Sequence, residues 1–195
     1  MKEVFDYMES LHPLSAELKE FLLQHTREHH YKKNDIILKE GEIAKHVWML
    51  VNGTVRCFHY EDDKEITNSF LMSGEIIVAV SSLAEQRPSH DIIVAMENCL
   101  VQRLSNAQLQ YAYEHFSEAR DLSKKIMLNY FKRLDKQLHI VRLSSLEQRY
   151  HLLKIEFPDL LAKIPLPYLA SFIGISTSTL MRIRRLERNK RKRSL

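Results

Sequence analysis

Apolar and polar positions change rhythm three times along this chain. From about Tyr31 to Ser105, short β-branched or aromatic runs are separated by turn residues: Ile36–Leu38, Val47–Val51, Thr54–Tyr60, Ile66–Leu71, Ile92–Ala95 and Leu100–Leu104. Runs of this length and chemistry predict antiparallel strands that close into a small barrel or roll. Asn52-Gly53, between two of the runs, predicts a hairpin turn. Ahead of them, Glu17 to His29 reads as a short amphipathic helix. From about Ser117 the period lengthens. Met127, Phe131, Leu134, Leu138 and Val141 step by four, three, four and three. That stripe lets two helices interlock, and it equally suits one amphipathic helix laid on its own β domain. Asn129 and Arg133 flank it, at the polar edge of such a seam. Leu143-Ser144-Ser145 then predicts a hinge, with Ser145 capping a helix that Pro158 breaks after about Phe157.

The last change of rhythm is the most informative. Pro167 to Leu186 reads PYLASFIGISTSTLMRIRRL. Proline suits the first turn of a helix, where its missing N–H has no partner to lose. Leu166, Leu169, Ala170 and Ile173 recur at helical spacing, and Gly174 stops the helix by taking the left-handed conformation. Ser176 caps the next helix, and Leu180 and Ile183 face inward on it. Ser178, Arg182 and Arg185 share the outer face. A small residue, a turn glycine and an apolar residue at these offsets predict a helix-turn-helix, whose second helix fits the major groove of DNA. Alone, the same pattern also describes a surface helical hairpin. The basic surroundings favour the first reading: from Arg182 to Arg193, eight of twelve positions are Arg or Lys, against the single acid Glu187.

Charge extends that contrast to the whole chain. Residues 1–118 hold 11 Lys/Arg and 19 Asp/Glu, a balance of −8; residues 119–195 hold 18 and 6, a balance of +12. An acidic front and a basic back predict two parts, with a polyanion partner at the back. Double-stranded DNA is favoured over membrane phospholipid, because the basic helix lacks the continuous apolar face of an interfacial anchor. No apolar run approaches the ~20 residues that span a bilayer. The acidic, interrupted N-terminus is not a secretory signal. Cys57 and Cys99, in apolar β-like surroundings, read as reduced core residues of a cytoplasmic protein. Two cysteines are too few for an all-cysteine iron–sulfur cluster.

With these parts in order, the chain resembles the CRP/FNR family of bacterial transcription regulators. In the first half the resemblance rests on Lys33-Asn34-Asp35-Ile36-Ile37-Leu38-Lys39-Glu40-Gly41, on Val47 to Arg56 around Asn52-Gly53, and on Gly74-Glu75. In the second it rests on Ile173-Gly174-Ile175-Ser176 and Thr179-Leu180-Met181-Arg182-Ile183-Arg184. The resemblance implies an α+β fold of three parts. These are an antiparallel, cyclic-nucleotide-binding-like β-roll over residues 1–116, a dimerisation helix over 117–143, and a winged helix-turn-helix over 144–195. It implies a homodimer on a pseudopalindromic site, with a small-molecule signal in the roll and no enzymatic activity. Ser176, Thr177, Ser178, Arg182, Arg184, Arg185 and Arg188 are the expected DNA contacts, and Met127, Phe131, Leu134, Leu138 and Val141 the dimer seam. Activation would add a surface for RNA polymerase, which no residue pattern marks.

Departures from the family pattern bear on mechanism. Members that bind cyclic AMP place a Gly-Glu pair before an Arg-Ser or Arg-Thr pair; the glutamate takes the ribose hydroxyl and the arginine the cyclic phosphate. Gly74 and Glu75 match, but Arg87 and Ser89 are separated by Pro88 in a loop about two residues longer than that pattern. If Ser89 takes the hydroxyl position, proline stands where the arginine belongs and offers neither charge nor N–H. Cyclic AMP in the known mode is therefore not expected, and a roll that serves only as a scaffold is the alternative. The recognition helix opens on Thr177 and Ser178, where the cyclic-AMP receptor has an arginine and a glutamate, so the half-site should differ. ERNKRKRSL after Leu186 is too short for a two-stranded wing and reads as a mobile basic arm. The N-terminal cysteine cluster of the oxygen sensors is missing. A haem ligand is not singled out. His25, His29 and His30 have helical spacing for a metal but lack an assignable third ligand, and read as solvated. A cupin-like metalloenzyme, a further alternative, needs a His-x-His that the chain lacks; His46 and His59 stand alone.

Overall fold

A computed structural model describes residues 2–193 of the chain. Two helices come first, α1 (Lys2–Leu11) and α2 (Ala16–His25). Ser15 caps α2, its hydroxyl accepting from the Leu18 amide at 3.1 Å. The helix stops at His25 rather than running to His29. Thr26 turns to extended backbone, and Arg27–Tyr31 becomes β1, paired along its length with β8 (Cys99–Ser105). His29 and His30 therefore alternate on an exposed strand, and the helical spacing with His25 does not exist.

The β runs form as expected, with one or two residues added at some ends: β2 (Ile36–Leu38), β3 (His46–Asn52), β4 (Thr54–Glu61), β5 (Lys64–Met72), β7 (Ile92–Ala95) and β8. The short β6 (Ile76–Ile77) and helix α3 (Val80–Glu85) lie between β5 and β7. The strands make two four-stranded sheets, ordered β1-β8-β3-β6 and β2-β7-β4-β5. Their inner faces enclose one core, in which Leu50, Val55, Ala95 and Val101 are fully buried. A second cluster joins Leu18 and Leu22 of α2 to Leu104, to Ala112 of α4 (Asn106–His115) and to Ala119 and Leu122.

Asn52-Gly53 is a corner and not a hairpin. It carries the chain from β3 in one sheet to β4 in the other. Glycine is required there: φ is +114°, and an added Cβ would stand 2.5 Å from Cys99 Sγ. The hairpin forms between β4 and β5 at Asp62-Asp63, where both residues take positive φ (47° and 61°). Two successive left-handed residues give a turn whose twist matches the strands it joins.

Helix α5 (Ser117–Arg142) is followed by α6 (Leu146–Glu156), α7 (Pro158–Lys163), α8 (Leu166–Phe172) and α9 (Thr177–Arg193). Ser145 caps α6, its hydroxyl accepting from Gln148 N–H at 3.3 Å. Pro158 ends that helix and opens the next, because its ring suits a first turn. The chain divides into two compact units. One comprises Met1–His59 and Ser69–Asn129; the other comprises Tyr60–Asn68 and Tyr130–Leu195. The tip of the β4–β5 hairpin thus belongs with the C-terminal helices. No wing follows α9. Residues expected as a mobile arm continue as helix to Arg193, and Ser194 and Leu195 lie outside the described residues.

Candidate nucleic-acid interface

The turn between α8 and α9 is built by its backbone. Gly174 sits at φ +66°; its amide donates to Ser171 O (3.1 Å) and the next amide, Ile175, donates to Ala170 O (3.0 Å). These paired bonds close a helix C-terminus around a left-handed glycine. Arg149 of α6 braces the turn from outside. Its Nη1 donates to Ile173 O (3.2 Å) and Gly174 O (3.1 Å), while its Nε donates to Leu143 O (2.7 Å). Leu169, Ile173, Leu180 and Ile183 are fully buried beneath, and Phe157 meets Phe172 edge-on at 5.8 Å.

Ser176 caps α9, accepting from the Thr179 amide at 3.2 Å, and its hydroxyl also meets those of Ser178 (3.0 Å) and Thr179 (2.8 Å). Thr177 is half-buried, whereas Ser178, Arg182, Arg184, Arg185 and Arg188 are exposed. Arg182 Nη2 lies 3.9 Å from Glu147 of α6, a loose surface pair. Glu187, the acid within the basic run, is held by Lys154 Nζ at 2.6 Å, with Lys154 also over the Tyr150 ring. Met181 is 57 % exposed among these residues. The pattern held the sign: Met181 lies off the Leu180/Ile183 face. Glu147, Arg149 and Lys154 left no such sign, because each acts across a tertiary contact.

On α5, Met127, Phe131 and Leu138 are exposed, with Leu128 beside them, and Leu134 and Val141 are half-buried. The two flanking polar residues turn elsewhere. Asn129 hydrogen-bonds Tyr7, and Arg133 lies 5.6 Å from the Phe157 ring centroid.

In the roll, Gly74 is left-handed and donates to Leu50 O at 2.8 Å, and the Glu75 carboxylate accepts from the Met72 amide at 2.6 Å. Arg87 is exposed and paired with Glu85 at 2.8 Å. Ser89 is buried: its hydroxyl donates to Asp91 O and accepts from Asp91 N–H, and its backbone bonds Gly41 and Glu42. The structure thus ties Gly74 and Glu75 into one strand turn and directs Arg87 and Ser89 to separate partners. A phosphate at Ser89 would find its hydroxyl engaged and the Arg87 guanidinium turned to a carboxylate. Among the described residues, no group of three or more His, Cys, Asp or Glu is placed to hold a metal ion.

Residues 28–116 match the cyclic nucleotide-binding domain family. No curated protein matches the chain in sequence. Solved structures do. FixK2 from Bradyrhizobium japonicum superposes with a TM-score of 0.70 at 19% identity, over 85% of each chain. The c-di-GMP responsive global regulator CLP of Xanthomonas campestris gives 0.69 at 18%, over 90% of this chain and 93% of that one. A protein of Eubacterium rectale assigned to the CRP/FNR transcriptional regulators gives 0.72 at 16%, over 91% and 85%. The fold is that of the CRP/FNR regulators. Within the CRP/FNR fold, α8 and α9 are the helix-turn-helix and α5 the long helix that follows the roll. Among the described residues, no helix is long and apolar enough to cross a membrane.

Proposed function

We propose that this protein is a transcription regulator that binds a pseudopalindromic DNA site as a homodimer. The observation that carries the reading is the two-faced α9. Leu180 and Ile183 are buried, while Ser178, Arg182 and Arg185 point outward on a helix whose continuation is basic. Arg182 offers two parallel donors to guanine O6 and N7, and the exposed Met181 offers apolar contact to a thymine methyl. Arg184, Arg188 and the rest of the helix supply phosphate contacts. Residues 144–195 act as the reading part, residues 1–116 as the sensor roll, and residues 117–143 as the seam, where Met127, Phe131 and Leu138 expose an apolar stripe that a second copy covers.

The roll's effector, in this reading, is not cyclic AMP held through a phosphate-binding arginine. Two contacts support this: the Arg87–Glu85 pair and the engagement of the Ser89 hydroxyl by Asp91. A ligand of other chemistry, or a roll serving as scaffold alone, is consistent with both.

The test is selection from a randomised duplex pool at two salt concentrations. Enrichment of a two-fold site with half-sites about one helical turn apart supports the reading. Retention that is salt-sensitive but enriches no sequence refutes specific reading without a ligand. Arg182→Ala is expected to relax base preference at one position, at a cost of about 1–3 kcal/mol. Equal loss on every sequence would assign Arg182 to phosphate.

A further inference from the structure

Strand β5 is the last strand of its sheet, so one of its edges lacks a strand neighbour. At the hairpin tip that edge is met by a side chain of the helix-turn-helix. The Ser171 hydroxyl of α8 accepts from the Thr67 amide at 2.9 Å and donates to Glu65 O at 3.0 Å. These are the two groups flanking Ile66 on one edge, the pair that a neighbouring strand would otherwise engage. One hydroxyl therefore satisfies both a donor and an acceptor of the open edge. Beside it, Gln137 Nε2 of α5 donates to Asn68 O at 2.7 Å. Thr67 is 3% exposed, so its amide has no easy recourse to water if Ser171 is lost.

We propose that Ser171 is a positioning residue that latches the β4–β5 hairpin tip to the first helix of the helix-turn-helix, and that this latch sets how well α9 reads DNA. The tip and α8 then open and close together. The tip is also the end of a strand pair that continues, through unbroken β4 and β5, into the sheet of the roll. A change in that strand pair reaches α8 at the Ser171 hydroxyl. Because α8 packs on α9, a released α8 leaves the reading helix to be ordered at the moment of binding, which lowers affinity. The DNA half of this inference rests on the function proposed above; the latch itself does not.

The full-length protein tests both halves. Ser171→Ala removes the hydroxyl and raises helix propensity, so the helix itself is not weakened. Hydrogen exchange at the Thr67 amide is expected to quicken about tenfold, with amides of α8 quickening alongside. Affinity for the selected duplex is expected to fall several-fold, and Ser171→Thr, which keeps the hydroxyl, restores both. Gln137→Ala gives a second, milder release of the same tip. Unchanged exchange at Thr67, or a change confined to that amide, overturns the latch. Cooperative quickening with unaltered DNA affinity overturns its role in reading. If the unaltered protein selects no sequence, the function proposed above fails separately, and the exchange data still decide the latch.

Discussion

Gly174 is where the α8–α9 turn is open to a single disruptive change. Replacing it with alanine adds a methyl group at φ +66°, which costs an L side chain about 1–2 kcal/mol. The smaller entropy of the unfolded chain returns about 0.4–1 kcal/mol. The new Cβ would stand 3.3 Å from Arg149 Nη1, so that guanidinium must give way. It does so while donating to Ile173 O and Gly174 O, and loss of one such charged bond costs about 1.5 kcal/mol. The net expectation for Gly174→Ala is a loss of about 1.5–3 kcal/mol. Urea unfolding followed by circular dichroism measures it, and hydrogen exchange at the Ile175 amide reports the turn itself. Two companions sharpen the test. Gly174→Asn tolerates the left-handed backbone and should lose less. In an Arg149→Ala background the alanine substitution should cost about 1 kcal/mol less, since the crowded partner is gone. Wild-type stability in Gly174→Ala refutes the strain. Additivity of the two substitutions refutes the contact with Arg149.

Three further outcomes are expected. Phe131→Glu puts a carboxylate in the exposed stripe of α5 and should yield a helical monomer by sedimentation velocity; a surviving dimer would place the seam elsewhere. Burial, then Arg103 and Lys45, hold His46 below its usual pKa, so the unfolded chain takes the proton first. Stability is therefore full above about pH 6.5 and declines as pH falls through that value toward the folded pKa; His46→Gln should flatten this slope, and an unchanged slope counts against it. Burial and the neighbouring Asp91 push the Cys57 thiol up, and burial does the same to Cys99. Iodoacetamide at about pH 8 should label neither until the chain unfolds, and rapid labelling of the native protein would contradict the burial of Cys99 and the raised thiol of half-buried Cys57.

Much of the fold was legible because strand chemistry is local. Ile36–Leu38 and Ile92–Ala95 formed with the bounds their β-branched runs predicted. What failed was pairing. Asn52-Gly53 shows that the backbone turns, yet it does not say which strands meet, and here it leads from one sheet to the other. The hairpin falls instead at Asp62-Asp63, where two aspartates take the geometry usually given to Asn-Gly. His29 and His30 followed helical spacing until the partner strand β8 claimed them, a tertiary contact that no local window contains. The basic tail was misread for a related reason. Its charge density suggested a free arm, but α9 continues along it to Arg193, and Lys154 on α6 pairs with Glu187 near its start. On α9, the outward positions follow from periodicity alone. Arg149 and Ser171 do not, because each contacts backbone far away in sequence.

Ser171 and Thr67 are separated by 104 residues. On a ribosome, at about 5–20 residues per second, the hairpin tip waits roughly 5–20 s for the helix that will cover it. For that time the edge of β5 is a bare template on which another nascent chain can add a strand. The tip sequence Glu61-Asp62-Asp63-Lys64-Glu65 answers the hazard with charge, four acids in five residues, which makes a second copy of the same edge repulsive. The acids that turn the hairpin thus also guard it during synthesis. Neutralising them should show first as aggregation of newly made chains, before any loss of stability in the finished protein.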